Sequence, residues 1–145
     1  MLDRRHRFHV RCSTKPKLAY RLRATWFGSS TCNSVVEALL RRHFARVRPG
    51  DYFALQAYLE MEPGNESRLQ RLRHAIRDAK GVATTLGFGP RFLHSTGQLH
   101  KGGPDTGVFL QLTCDVAEDV AIPGQRVTFG MLARVEARGD LEVLA

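Results

Sequence analysis

The feature that most constrains the fold is the alternation, beyond residue 50, of short apolar runs with longer segments of helical periodicity. Residues 51–60 read DYFALQAYLE, a nearly continuous apolar and aromatic run typical of a strand buried on both faces. Two further runs, VATTLGF at 82–88 and VFLQLTC at 108–114, have the same character. Strands that alternate with helices pair in parallel through crossover connections. The sequence therefore predicts an α/β fold with a three-stranded parallel sheet and flanking helices.

Three segments place apolar residues at helical spacing, over about 34–48, 65–80 and 131–144. Gly81 follows the second segment and suits the left-handed position that closes a helix. In the third segment, residues 138–140 read RGD and are expected to interrupt or bend the helix. The predicted apolar positions of this last helix are Met131, Leu132, Val135, Leu141 and Leu144.

The basic character of the chain belongs to its first third. The net charge is +8, but residues 1–50 carry 12 basic and 2 acidic side chains, whereas residues 51–145 carry 10 and 12. Residues 1–33 show no lasting period, and three interpretations compete: a disordered basic arm, an organellar transit peptide, or sequence foreign to the fold. The first and the last are favoured. We therefore divide the chain into an arm, 1–33, and an α/β part, 34–145. Nucleic-acid binding could come only from the arm.

Several classes of protein are disfavoured by composition. The chain has three cysteines, Cys12, Cys32 and Cys114, and no CxxC motif. The odd number and the spacing argue against a disulfide framework and a cysteine-rich zinc site. No apolar run approaches the roughly 20 residues of a membrane helix, and no secretory signal is visible. A cytoplasmic protein without a metal, a cofactor or a membrane partner is expected.

The candidate chemistry lies in residues 87–107, directly after the second predicted strand. Ligands of open α/β sheets bind beyond the carboxyl ends of the strands. The segment holds six glycines, and it lacks the spacing of a dinucleotide fingerprint or of a P-loop. Arg91, His94, His100 and Lys101 can supply positive charge or protons, and Ser95, Thr96 and Gln98 can supply hydrogen bonds. These residues alone predict an anion-binding loop, with a purely structural glycine-rich turn as the alternative.

The run at 81–113, GVATTLGFGPRFLHSTGQLHKGGPDTGVFLQLT, resembles the closing portion of the phosphoglucose isomerase half of bacterial bifunctional transaldolase/phosphoglucose isomerases. The likeness extends from about Asn33, through PGDYFALQAYL, to GDLEVLA at the end of the chain. It implies part of a sugar-isomerase α/β domain that interconverts glucose 6-phosphate and fructose 6-phosphate through an enediol, without a metal. The arm resembles nothing in that family.

The resemblance also implies roles for single residues. Residues 94–98, HSTGQ, look like the family's substrate-contacting stretch, so Gln98, Ser95 and His94 are expected to bind substrate. Arg91, just before this stretch, is expected to bind substrate through its positive charge. Lys101 or His100 would take the catalytic ring-opening role, and the spacing leaves both open.

The family's catalytic glutamate and its phosphate cradle lie upstream of this segment, and nothing in residues 1–80 looks like either. The expectation is a truncated fragment with little isomerase activity alone, whose partners are a sugar phosphate and the missing N-terminal portion of the isomerase. The alternative is a non-catalytic module that binds a sugar phosphate or another anion.

Overall fold

The computed structural model describes residues 8–14, 20–24, 30–114 and 118–144. In these ranges the chain forms a mixed sheet with helices packed on it. A short 3-10 helix, Arg91–His94, precedes the third α-helix. The elements in chain order are β1 (Phe8–Thr14), β2 (Tyr20–Ala24), α1 (Ser30–Phe44), β3 (Tyr52–Tyr58), α2 (Pro63–Lys80), β4 (Ala83–Phe88), α3 (Thr96–Gly102), β5 (Gly107–Cys114) and α4 (Phe129–Leu144).

The described strands form one sheet in the order β2-β1-β5-β3-β4. The central strand β3 pairs in parallel with β4 on one side and with β5 on the other. The predicted α/β class, with a three-stranded parallel sheet and flanking helices, is confirmed. The predicted left-handed glycine is also found, since Gly81 closes α2 at φ 65°.

Two strands lie inside the segment that the sequence predicts to be a disordered or foreign arm. β1 runs antiparallel to β5, in register from Phe8 opposite Cys114 to Thr14 opposite Val108, and β2 pairs antiparallel with β1. The outer edge of β5 presents backbone N–H and C=O groups that need partners, and β1 supplies them. For residues 8–14 and 20–24 the structure therefore differs from that prediction. Residues 30–33 begin α1, four residues before the predicted start, and the rest of the arm lies outside the described residues.

The two faces of β3 pack against different helices. Phe53, Leu55 and Ala57 are fully buried on the face covered by α1 and α2, where Leu69 and Ile76 complete the core. The opposite face meets the 3-10 helix and α4. Its contacts are made by Ala54 and Phe109 with Leu144, and by Tyr58 with Phe92 and Ala137. Helices thus cover both sides of the parallel strands, as their apolar sequences require.

The last helix differs from the sequence-based prediction in two respects: its continuity and the burial of its apolar side chains. α4 runs without a break through residues 138–140, because one glycine in a helix costs only about 1 kcal/mol and buried residues of the helix flank it on both sides. Asp140 and Leu141 are buried on its inner face, and the buried Gln111 amide donates to the Ala137 carbonyl at 2.9 Å. Leu141 and Leu144 are buried as predicted, whereas Met131, Leu132 and Val135 are each at least 43% exposed.

The segment predicted as a loop, 87–107, is helical over more than half of its length. Its glycines serve close packing. A Cβ on Gly97 would lie 2.7 Å from the Phe92 carbonyl oxygen, and a Cβ on Gly87 would lie 3.0 Å from the Phe92 side chain. A Cβ on Gly89 would lie 2.6 Å from the ring of Tyr58. These positions let the 3-10 helix and α3 lie directly on the sheet.

Candidate functional site

A cavity of about 540 Å³ opens along the edge strand β4 and its carboxyl end. Its walls come from β3, β4 and α2, from the 3-10 helix, and from Thr96 and His100 of α3. The volume lies within the roughly 300–1,000 Å³ that small-molecule sites occupy. The position agrees with the rule that α/β sheets bind ligands beyond the carboxyl ends of their strands.

Three of the six predicted site residues line this cavity: Arg91, Ser95 and His100. Arg91 is exposed, and its guanidinium makes one long contact, 3.8 Å, to the sulfur of Met61. No carboxylate pairs with Arg91 among the residues that the structure describes. Its charge therefore remains available to an anion, and the hydroxyl groups of Ser95 and Thr96 lie in the same wall.

His100 is the buried member of the set. It is 5% exposed, its ring stacks on Tyr52 with centroids 5.4 Å apart, and its Nδ1 lies 3.0 Å from the Tyr52 Oη. The edge of Phe109 closes a further side of the ring. Burial lowers the pKa of His100, and the nearby Asp140 carboxylate opposes that shift only in part. The ring is therefore held neutral and well oriented at neutral pH.

Lys101, the other residue predicted for the catalytic role, forms an ion pair with Asp140. Its Nζ lies 3.0 Å from Oδ1 of Asp140, whose side chain is only 1% exposed. Lys101 is not among the residues that line the cavity. Burial raises the pKa of the Tyr58 phenol, and the negative charge of Asp140 raises it further. The lysine thus neutralises a buried carboxylate at the contact between α3 and α4.

The two remaining predicted residues also lie outside the cavity wall. Gln98 is exposed on the first turn of α3, three residues before Lys101, and His94 is exposed at the end of the 3-10 helix. The structure brings Arg91, Ser95 and His100 to one cavity, and it does not bring His94, Gln98 or Lys101 to it.

Gln56, a polar residue in the cavity wall, is not among the site residues that the sequence predicts. It lies in the middle of β3, is 1% exposed, and both its amide nitrogen and its amide oxygen lack a protein hydrogen-bond partner. Gln111 is its register partner on β5. One amide residue inside each of two otherwise apolar strand runs was the available signal. Since buried polar groups are normally satisfied, such a residue marks a place that water or a ligand fills.

The fold and this cavity define a mixed α/β protein with a candidate small-molecule site. Comparison with protein-family models, curated proteins and solved structures finds no match. In the described part of the chain, no helix is long and apolar enough to cross a membrane. The same residues hold no group of three side chains able to ligate a metal ion.

Proposed function

We propose that the cavity binds a phosphorylated sugar, and that the chain is part of a glucose-6-phosphate isomerase from the transaldolase/isomerase fusion lineage. The resemblance over 81–113 is the support from the sequence. The observation that carries the proposal is that Arg91, Ser95 and His100 line one cavity at the carboxyl end of the parallel strands. A guanidinium with no carboxylate partner suits a phosphate group, and hydroxyl and imidazole groups suit the oxygens of a sugar.

The chain alone is proposed to bind its sugar phosphate with little or no turnover. Moving a proton between the two carbons of an aldose and a ketose needs a base, and the family's catalytic glutamate has no counterpart by resemblance in residues 1–80. Glu66, in the first turn of α2, is the carboxylate that lines the cavity among the described residues. A sugar-phosphate metabolic role agrees with the cytoplasmic location that the sequence predicts.

Binding is tested by titrating fructose 6-phosphate into the full chain and measuring Kd by calorimetry or by NMR. Arg91→Ala is expected to weaken binding roughly tenfold or more, because hydrogen bonds to charged groups contribute about 1.5–3 kcal/mol. Arg68→Ala is the matched control, since Arg68 is also exposed and does not line the cavity. No measurable binding by the unchanged chain, or equal loss in both variants, would contradict the proposal.

Turnover is tested with a coupled assay for glucose 6-phosphate. The chain is assayed alone and after mixing with the N-terminal portion of an isomerase from this family. Activity that appears only in the mixture would support a split isomerase. Binding of fructose 6-phosphate with no turnover in either sample would favour the alternative, a non-catalytic module for sugar phosphates or other anions.

A further inference from the structure

His100 lies within hydrogen-bond distance of Tyr52, the first residue of β3. The two side chains stack with an interplanar angle of 20°, and the phenol oxygen lies 3.0 Å from Nδ1. They are 48 residues apart in the chain, so only the packing of α3 on the sheet brings them together.

The direction of this hydrogen bond follows from the donors available. If Nδ1 carried the proton, the phenol O–H would need another acceptor, and the Tyr52 hydroxyl makes no second hydrogen bond among the described residues. A partly buried O–H without an acceptor is unfavourable. If the phenol donates to Nδ1 instead, both groups are satisfied by one bond. Burial raises the pKa of Tyr52, which keeps the phenol protonated and able to donate.

We propose that Tyr52 is a positioning residue that fixes His100 as the neutral tautomer with its proton on Nε2. His100 then offers an N–H donor in the cavity wall, and no basic nitrogen. Nε2 makes no hydrogen bond to a described residue. Such a donor suits an anionic oxygen, a hydroxyl oxygen or the ring oxygen of a sugar, and it does not suit abstraction of a proton from carbon. The identity of the ligand rests on the proposed function. The tautomer of His100 does not depend on that function.

The charged groups around the ring do not change this arrangement. Asp140 of α4 is the carboxylate that acts on His100, and it is paired with Lys101 of α3 at 3.0 Å. The other packed neighbour, Phe109 of β5, carries no charge. The phenol is therefore the group in hydrogen-bond contact with the ring.

The test is the ¹⁵N NMR spectrum of the full chain at slightly alkaline pH, in which the two ring nitrogens of a histidine give distinct signals for each tautomer. We expect Nδ1 of His100 to be unprotonated and Nε2 to be protonated. Tyr52→Phe keeps the stacked ring and removes only the hydroxyl, so it is expected to abolish the single-tautomer signature. The same variant should weaken fructose 6-phosphate binding roughly two- to tenfold, the range that a net hydrogen-bond contribution allows.

Tyr58→Phe is the control, because it also removes one buried hydroxyl from β3, but that hydroxyl faces Asp140 and does not contact His100. It should leave the tautomer unchanged. A proton on Nδ1 in the unchanged chain, or the same tautomer in Tyr52→Phe, overturns the inference. The expected tautomer together with no binding of fructose 6-phosphate would leave the role of Tyr52 in place and would refute the proposed function.

Discussion

At the scale of single residues, burial shifts the pKa of the titratable group of His43. His43 lies on the buried side of α1, 4% exposed, between the rings of Phe44 and Phe53. Burial lowers its pKa from 6.5 to about 4, with a smaller contribution from Arg46, and a hydrogen bond to the Phe109 backbone opposes the shift. The imidazole is therefore neutral in the folded protein at any pH near neutrality.

We predict that His43 makes the folded state less stable in acid. Because its pKa is lower in the folded than in the unfolded chain, the unfolded chain takes up the proton first. The free energy of unfolding should be unaffected by His43 above pH 6.5 and should fall by roughly 3 kcal/mol as the pH drops from 6.5 to about 4.

The measurement is urea unfolding across this pH range, in which His43→Leu should remove that part of the pH dependence. His74→Leu is the control, because His74 is exposed on α2. Equal pH dependence in the His43 variant and the unchanged chain would contradict the prediction.

At the scale of elements, the pair of Lys101 and Asp140 joins α3 to α4. The Asp140 side chain is 1% exposed and the Lys101 side chain is 25% exposed, so the pair is shielded from water on the α4 side. By contrast, Arg138 and Glu142 form a pair on the outer surface of α4, where both side chains are more than 60% exposed. Exposed pairs contribute little, whereas an unpaired buried carboxylate is costly.

We predict that Lys101→Met destabilises the fold and that Arg138→Met does not. Breaking a fully buried pair costs about 3–5 kcal/mol, and the partial exposure of Lys101 reduces the expected loss to about 2–3 kcal/mol. The change at Arg138 should stay below about 0.5 kcal/mol. Both are measured by urea unfolding.

The double variant Lys101→Met/Asp140→Leu should recover most of the loss, because it removes the unpaired charge. If Lys101→Met instead leaves stability unchanged and abolishes sugar-phosphate binding, Lys101 belongs to the site, as the resemblance implies, and its structural role is refuted.

At the scale of the whole molecule, the pairing of β1 with β5 turns a three-stranded parallel sheet into a five-stranded mixed sheet. With β1 and β2 in place, β5 is an interior strand, buried along most of its length, and the described sheet has β2 and β4 as its edges. Without them, β5 would be an edge strand of apolar sequence. Exposed apolar edges pair with other chains and cause association.

We predict that a variant lacking residues 1–29 is less stable than the full chain and self-associates. A variant lacking only residues 1–7 keeps both strands and should behave like the full chain. Sedimentation velocity and urea unfolding provide the comparison. If the longer deletion stays monomeric and loses no stability, the arm contributes nothing to the fold, as the sequence alone suggests.

The sequence by itself determined the parallel part of this protein. Apolar runs at β3, β4 and β5, helical periods between them and the glycine at position 81 are local signals, and the tertiary packing of these elements agrees with them. The segment that follows β4 was also identified as the place of the cavity, because parallel strands bring their carboxyl ends to one edge.

Only the tertiary structure decided the rest. Nothing local predicts that residues 8–14 pair with β5, since that pairing spans about 100 positions of the chain. Neither Tyr52 beside His100 nor Asp140 beside Lys101 is visible in any short motif, because each contact joins two elements. The sequence could not tell whether His100 or Lys101 belongs to the cavity wall. They are neighbours on one short helix, so their sequence context is the same, and only the packing of α3 places one in the cavity wall and the other against a buried carboxylate.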